Sequence, residues 1–200
     1  MLKIIKITLG SLFLIFIFFT AINSFYAKYT ADVYFSNSEK LLEEFELEKA
    51  LNNATLSIRN NPLEPNYYKQ RAKVYLTMAA VLSDEYKSEL KKSALDDMNT
   101  AYNINPDNLV TVRNLVPLFY FLSVREYTLN ISEENIDRDF LPITKSYYEK
   151  IKNISPNDAG VYVLLAKYEK RLGLANEYNQ SIKIVGELRP DLLEWHENFR

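Results

Sequence analysis

Tyr34 to Pro65 reads YFSNSEKLLEEFELEKALNNATLSIRNNPLEP, and this stretch sets the architecture of the chain. Tyr34, Ser38 and Leu41 recur at the three-to-four-residue spacing that places side chains on one face of a helix. The pattern breaks near Phe45. A second stripe passes through Ala50, Ala54 and Ser57. Asn61-Pro62 ends it, because a proline ring drives the preceding residue out of the helical region. Two amphipathic helices with so little chain between them must lie antiparallel. Small residues on the second let the backbones approach, while bulky ones fill the groove between them.

The same phrase returns down the chain. Asn61-Pro62 is followed by Asn105-Pro106, Ser155-Pro156 and the variant Arg189-Pro190, at intervals of 44, 50 and 34 residues. Tyr68, Ala72 and Tyr75 stand ahead of Ala94, Met98, Ala101 and Pro106. Tyr148 and Ile151 precede Pro156. Tyr162, Leu165 and Ala166 precede Tyr178, Ile182, Val185 and Pro190, with Gly173 at the turn. Helix, turn, helix, proline resembles the tetratricopeptide repeat, whose period is 34 residues. The resemblance covers Ala31 to Leu192 and implies an all-α fold. It divides the chain into an α-solenoid of about four helix-turn-helix repeats at 31–64, 65–108, 109–158 and 159–192, with 193–200 as a cap or truncated helix. Ten extra residues around Val81 to Leu90 are expected to lengthen both helices of the second repeat, with Ser83-Asp84-Glu85 as a helix start. In the third, Pro117 is expected to kink or break the first helix. Sixteen extra residues follow it, including NISEENIDRD at Asn130 to Asp139.

Upstream of the repeats the composition changes. Ile7 to Ile22, ITLGSLFLIFIFFTAI, carries no charge, and counting from Ile4 only Lys6 interrupts the run. At about 1.5 Å per residue, 4–22 approaches the roughly 30 Å of a bilayer's hydrocarbon core. Lys6 is close enough to the end to snorkel. Phe25, Tyr26 and Tyr29 resemble an interfacial belt, so 1–29 reads as a transmembrane anchor with its flank. A cleaved signal peptide shares this profile but requires small residues at the cut, and Ile22-Asn23-Ser24 is the best available. A buried core helix is the third reading, although a run uncharged on all faces fits lipid better. Lys3 and Lys6 bias the N-terminus toward the cytoplasm and the repeats toward the extracytoplasmic side, with Lys28 weakening the asymmetry.

Composition narrows the chemistry. An aromatic share of 14% argues for a packed core and against disorder. The net charge of −2 supplies no field that would draw the chain to nucleic acid. With no cysteine, disulfides and thiolate sites are excluded. Neither a glycine-rich phosphate loop nor a nucleophile elbow occurs. His196 is the single histidine and lacks the partners of a triad or a zinc site. Carboxylates at Glu43, Glu44, Glu46 and Glu48, at Asp96 and Asp97, and from Glu133 to Asp139 read as solvated helix faces or loop. Asp137-Arg138-Asp139 lacks the glycine and ligand spacing of a calcium loop. Asn53-Ala54-Thr55 and Asn130-Ile131-Ser132 are glycosylation sequons by pattern alone. No catalytic residue, metal ligand or cofactor site is expected.

The tetratricopeptide resemblance also implies where a partner would bind, namely on the concave surface lined by the first helix of each repeat. Carried onto this chain, the groove positions are Phe35, Glu39 and Leu42; Asn66, Lys69 and Lys73; Arg113 and Tyr120; Val163, Lys167 and Lys170. Lys69, Lys73, Arg113 and Lys167 would hold a carboxylate-bearing peptide or an anionic glycan. The expected function is a membrane-anchored, non-enzymatic scaffold for a protein or peptide partner. A narrower resemblance supplies an alternative. An aromatic-flanked membrane helix running into ADVYFSNSEKLL and NPLEPNYY is similar to the tail of bacterial O-antigen ligase or polymerase-like membrane proteins. That implies an accessory role beside cell-surface glycan assembly components.

Overall fold

The computed structural model describes residues 2–82, 84–126 and 133–193, with side chains from Gly10 onward, Asp84 excepted. The elements are α1 (Leu2–Glu43), α2 (Leu47–Asn60), α3 (Pro65–Val81), α4 (Asp84–Ile104), α5 (Leu109–Leu122), α6 (Leu141–Ile154), α7 (Ala159–Arg171) and α8 (Ala175–Leu188). A 3-10 turn at Glu133–Asn135 lies between α5 and α6. Consecutive helices pair as α1 with α2, α3 with α4, α5 with α6 and α7 with α8, while α1, α3, α5 and α7 touch in succession as an inner row. This is an all-α solenoid. The sequon at Asn130, His196 and all of the expected cap but Leu193 lie outside the described residues.

The small-residue stripes make the pairs. Ala50, Ala54, Ser57, Ala72, Ala94, Met98 and Ala101 are all fully buried. Ser38 Oγ donates to the Ala50 carbonyl at 2.9 Å, so the small polar residue of α1 is satisfied by the backbone of α2. The break near Phe45 is a Schellman turn, with Glu46 N–H on the Leu41 carbonyl at 2.8 Å and Phe45 N–H on Leu42 at 3.1 Å. Phe45 sits there at φ 63°, where an L side chain costs about 1 kcal/mol. Gly173 closes α7 with the same bonds at φ 68°, without that cost.

The two insertions behave differently. The first lengthens helices, since α3 runs for 17 residues and α4 for 21. The second leaves α5 and α6 at 14 residues each and enters their connection. There Val124 pairs with Ile136, and the buried Lys91 of α4 ties the connection down. Its ammonium donates to the Val124 carbonyl at 2.8 Å and to Asp137 at 2.6 Å. Burial pushes the Lys91 ammonium down and Asp137 pulls it back.

Two expectations are corrected. Of the kink or break expected at Pro117, the break does not occur, and α5 continues through it to Leu122. Proline costs the helix its own N–H bond and a clash with the carbonyl four residues earlier, and the burial of Val116, Leu118 and Phe119 on either side in the main core offsets that cost. Asp97 does not sit on an exposed face. It is 4% exposed, and the Arg71 guanidinium grips it with two bonds of 2.8 and 2.7 Å, joining α3 to α4. Burial pushes the Asp97 carboxyl up, against the pull of Arg71.

α1 is one uninterrupted helix of 42 residues. Its final turns belong to the first pair. From Gly10 it is long and apolar enough to cross a membrane, and its most apolar stretch is not buried against the solenoid.

Candidate functional site: the groove between the first three inner helices

α1, α3 and α5 enclose an open groove of about 540 Å³. Each contributes one helical stripe: Phe35 and Glu39 from α1; Asn66, Lys69, Gln70, Lys73, Leu76 and Thr77 from α3; Asn114, Pro117, Leu118 and Phe121 from α5. These are i, i+3, i+4, i+7 sets, so the groove is a direct product of helical phase.

The floor and rim are held from behind. Glu64 accepts from Asn66 N–H at 3.1 Å and from its side-chain amide at 2.6 Å, capping α3 and fixing Asn66 at the mouth. The Tyr67 hydroxyl donates to Asp32, and its ring lies 5.5 Å from that of Phe35. Gln70 donates to Ser38 at 3.3 Å. Phe35, Leu76, Leu118 and Phe121 then supply an apolar floor. Lys69 and Lys73 stand one turn apart, and neither has a carboxylate at ion-pair distance among the described residues. Burial pushes the Lys69 ammonium down, partly offset by Glu64 and Glu39. A desolvated cation without a close partner favours an incoming anion.

Of the residues expected from sequence, Phe35, Glu39, Asn66, Lys69 and Lys73 come together here. The others do not. Leu42 is buried with Ala50 and Val74 in the core beneath α1. Arg113 lies beside Gly160 at the start of α7. Tyr120 is 4% exposed, its ring 5.0 Å from Tyr168 and 5.9 Å from the Arg171 guanidinium. That surface is committed to packing. Lys167 is exposed on α7 with its ammonium 5.6 Å from the Tyr168 ring. Neither it nor Val163 or Lys170 lines the groove.

The error in α5 is a rotation. Arg113 and Tyr120 are each one residue before Asn114 and Phe121, a displacement of about 100° around the helix. The α5 sequence, LVTVRNLVPLFYFL, is apolar on nearly every side, so no polar stripe sets its phase. The signal that was available is Asn114 with Pro117, Leu118 and Phe121 at helical spacing.

Between α6 and α7 a second polar cluster serves packing. Lys152 bridges Glu149 at 2.8 Å and the fully buried Glu169 at 2.9 Å, linking α6 to α7. Burial pushes the Lys152 ammonium down, but the two carboxylates outweigh it and leave it raised. Among the described residues no group of three or more His, Asp or Glu side chains is placed to hold a metal ion.

No protein-family model and no curated protein sequence matches the chain. Solved structures do. MamA superposes with a TM-score of 0.52 at 13% identity, over 82% of this chain and 81% of that one. A thermophilic tetratricopeptide-repeat protein in Thermus thermophilus superposes with a TM-score of 0.50 at 16% identity, over 80% and 75%. At such identities the likeness concerns the fold, and the fold of this chain is a tetratricopeptide-like α-solenoid.

Proposed function

We propose that this chain is a membrane-anchored scaffold that captures a peptide segment of a protein partner in the groove between α1, α3 and α5, without catalysis of its own. One observation carries the reading. Five residues expected at groove positions converge on a single open groove, where two lysines lacking close carboxylate partners stand beside an apolar floor. A segment presenting a large apolar side chain followed by carboxylates complements that surface. The anchor is the apolar half of α1, supported by its length, composition and exposure. On the charge bias of Lys3 and Lys6 the solenoid lies outside the cytoplasm.

The test uses the full chain in lipid nanodiscs against a displayed peptide library, with a panel of anionic glycans beside it. Enriched peptides should combine an aromatic or aliphatic residue with acids. The double variant K69E/K73E, folded by circular dichroism, should bind them about tenfold more weakly or worse, the equivalent of one charge-assisted bond. Equal binding by parent and variant removes the groove from the proposal. Capture of a glycan and of no peptide would instead favour the role beside glycan assembly.

A further inference from the structure

The uninterrupted α1 also fixes which part of the solenoid meets the bilayer. We infer that the edge formed by the α2–α3 connection, with Leu63 at its tip, rests on the lipid surface beside the anchor. This rests on the anchored reading above.

The height of that edge follows from three observations. Lys28 is the first charge after Lys6, so the helix is uncharged from Ile7 to Ala27, roughly 30 Å at about 1.5 Å per residue. The hydrocarbon boundary therefore lies near Ala27, with Phe25, Tyr26 and Tyr29 exposed around it at 74%, 70% and 68%. Next, α3 follows α1 after two reversals of direction, so the two helices run the same way. The Tyr67–Asp32 hydrogen bond and the Phe35–Tyr67 ring contact place the first turn of α3 beside Asp32. Leu63, four residues before Tyr67, then stands level with Lys28 to Ala31, within one helical turn of the boundary.

Leu63 suits the place. It is 77% exposed, more than any other large apolar side chain among the described residues, and it follows Pro62, which adds apolar surface and no backbone donor. Its acidic neighbour does not oppose the contact, because Glu64 is turned back into the cap of α3 by both bonds from Asn66. The opposite edge carries exposed apolar side chains too, including Phe45 at 60%. Phe45 stands just past the end of α1, about 13 residues and about 20 Å beyond Asp32. Exposure alone does not separate the two edges, but height does.

The chain has no cysteine, so single-cysteine labelling reads each position cleanly. F16C, L63C and F45C would be labelled with bimane in vesicles, and quenching by brominated lipid measured. The expected result is strong quenching at 16, clear quenching at 63 and none at 45. Quenching at 16 with 63 as dark to lipid as 45 overturns the edge contact and leaves the anchor standing. No quenching at 16 overturns the anchored reading, and this inference with it. Equal quenching at 63 and 45 means the solenoid lies flat, which also overturns it.

Discussion

The pair α3–α4 and the pair α5–α6 belong to one solenoid, yet different forces hold them. In α3–α4 the contact is long and made by small side chains, with Ala72 facing a stripe of Ala94, Met98 and Ala101. One bidentate Arg71–Asp97 bond fastens it from the side. In α5–α6 the helices are shorter, and large rings replace the small residues. Phe119 and Tyr147 stack at 3.8 Å, and Tyr147 and Tyr148 hydroxyls donate to the carbonyls of Val112 and Val116. Thr144 bonds the Phe119 carbonyl at 2.8 Å and the Ser123 hydroxyl at 2.6 Å. Helices that cannot approach closely are joined by polar side chains reaching across to backbone. Such bonds are cheap when made and expensive when half made.

The sharpest way to break this contrast is at Lys91. K91M keeps the apolar stem but strands the Asp137 carboxylate and the Val124 carbonyl. Losing one partner of a buried pair should cost about 3 kcal/mol. Urea denaturation measures it, and amide exchange should rise around Ser123 to Phe140. If K91M unfolds with the parent, the connection is not held by this tether. The apolar pair is tested at Ala94. A94L forces extra methylenes into a closed face and should cost about 2 kcal/mol, with exchange rising in α3 and α4 before α5 and α6. Unchanged melting would mean that α3 and α4 are not in close contact there.

The smallest effect concerns pH. Lys145 on α6 lies 2.5 Å from Glu177 on α8, and its hydrogen bond holds the Glu177 carboxyl below the usual 4.5. A depressed carboxylate adds stability above its unfolded value and loses it as pH falls below about 4.5 toward the folded value. Both side chains are partly exposed, so the pair contributes about 0.5 kcal/mol. Parent and E177Q should differ by that amount at neutral pH and converge in acid. A constant difference would assign the effect to shape and not to charge.

What the sequence made legible follows the same divide. Ala50, Ala54, Ser57, Ala94 and Ala101 announce themselves because small residues at helical spacing have one main use, and the structure buries all of them. Phe35, Glu39, Lys69 and Lys73 are legible because α1 and α3 keep the register of the repeat, which puts all four in the groove lining. α5 does not, so Arg113 and Tyr120 were placed in the groove while Asn114 and Phe121 occupy it. Arg71–Asp97 and Lys91–Asp137 were illegible for a different reason. Each joins separate elements, and their meeting depends on how far one helix is shifted along another, which no local pattern records.

The continuity of α1 has a consequence for whatever the groove meets. The apolar stretch proposed above as an anchor and the groove wall that carries Phe35 and Glu39 are turns of the same rod. Each residue between Ala27 and Ala31 therefore sets about 1.5 Å of altitude and about 100° of compass bearing. On the anchored reading proposed above, the groove would have a heading relative to the membrane, and a partner emerging from the same bilayer would meet it from one fixed side.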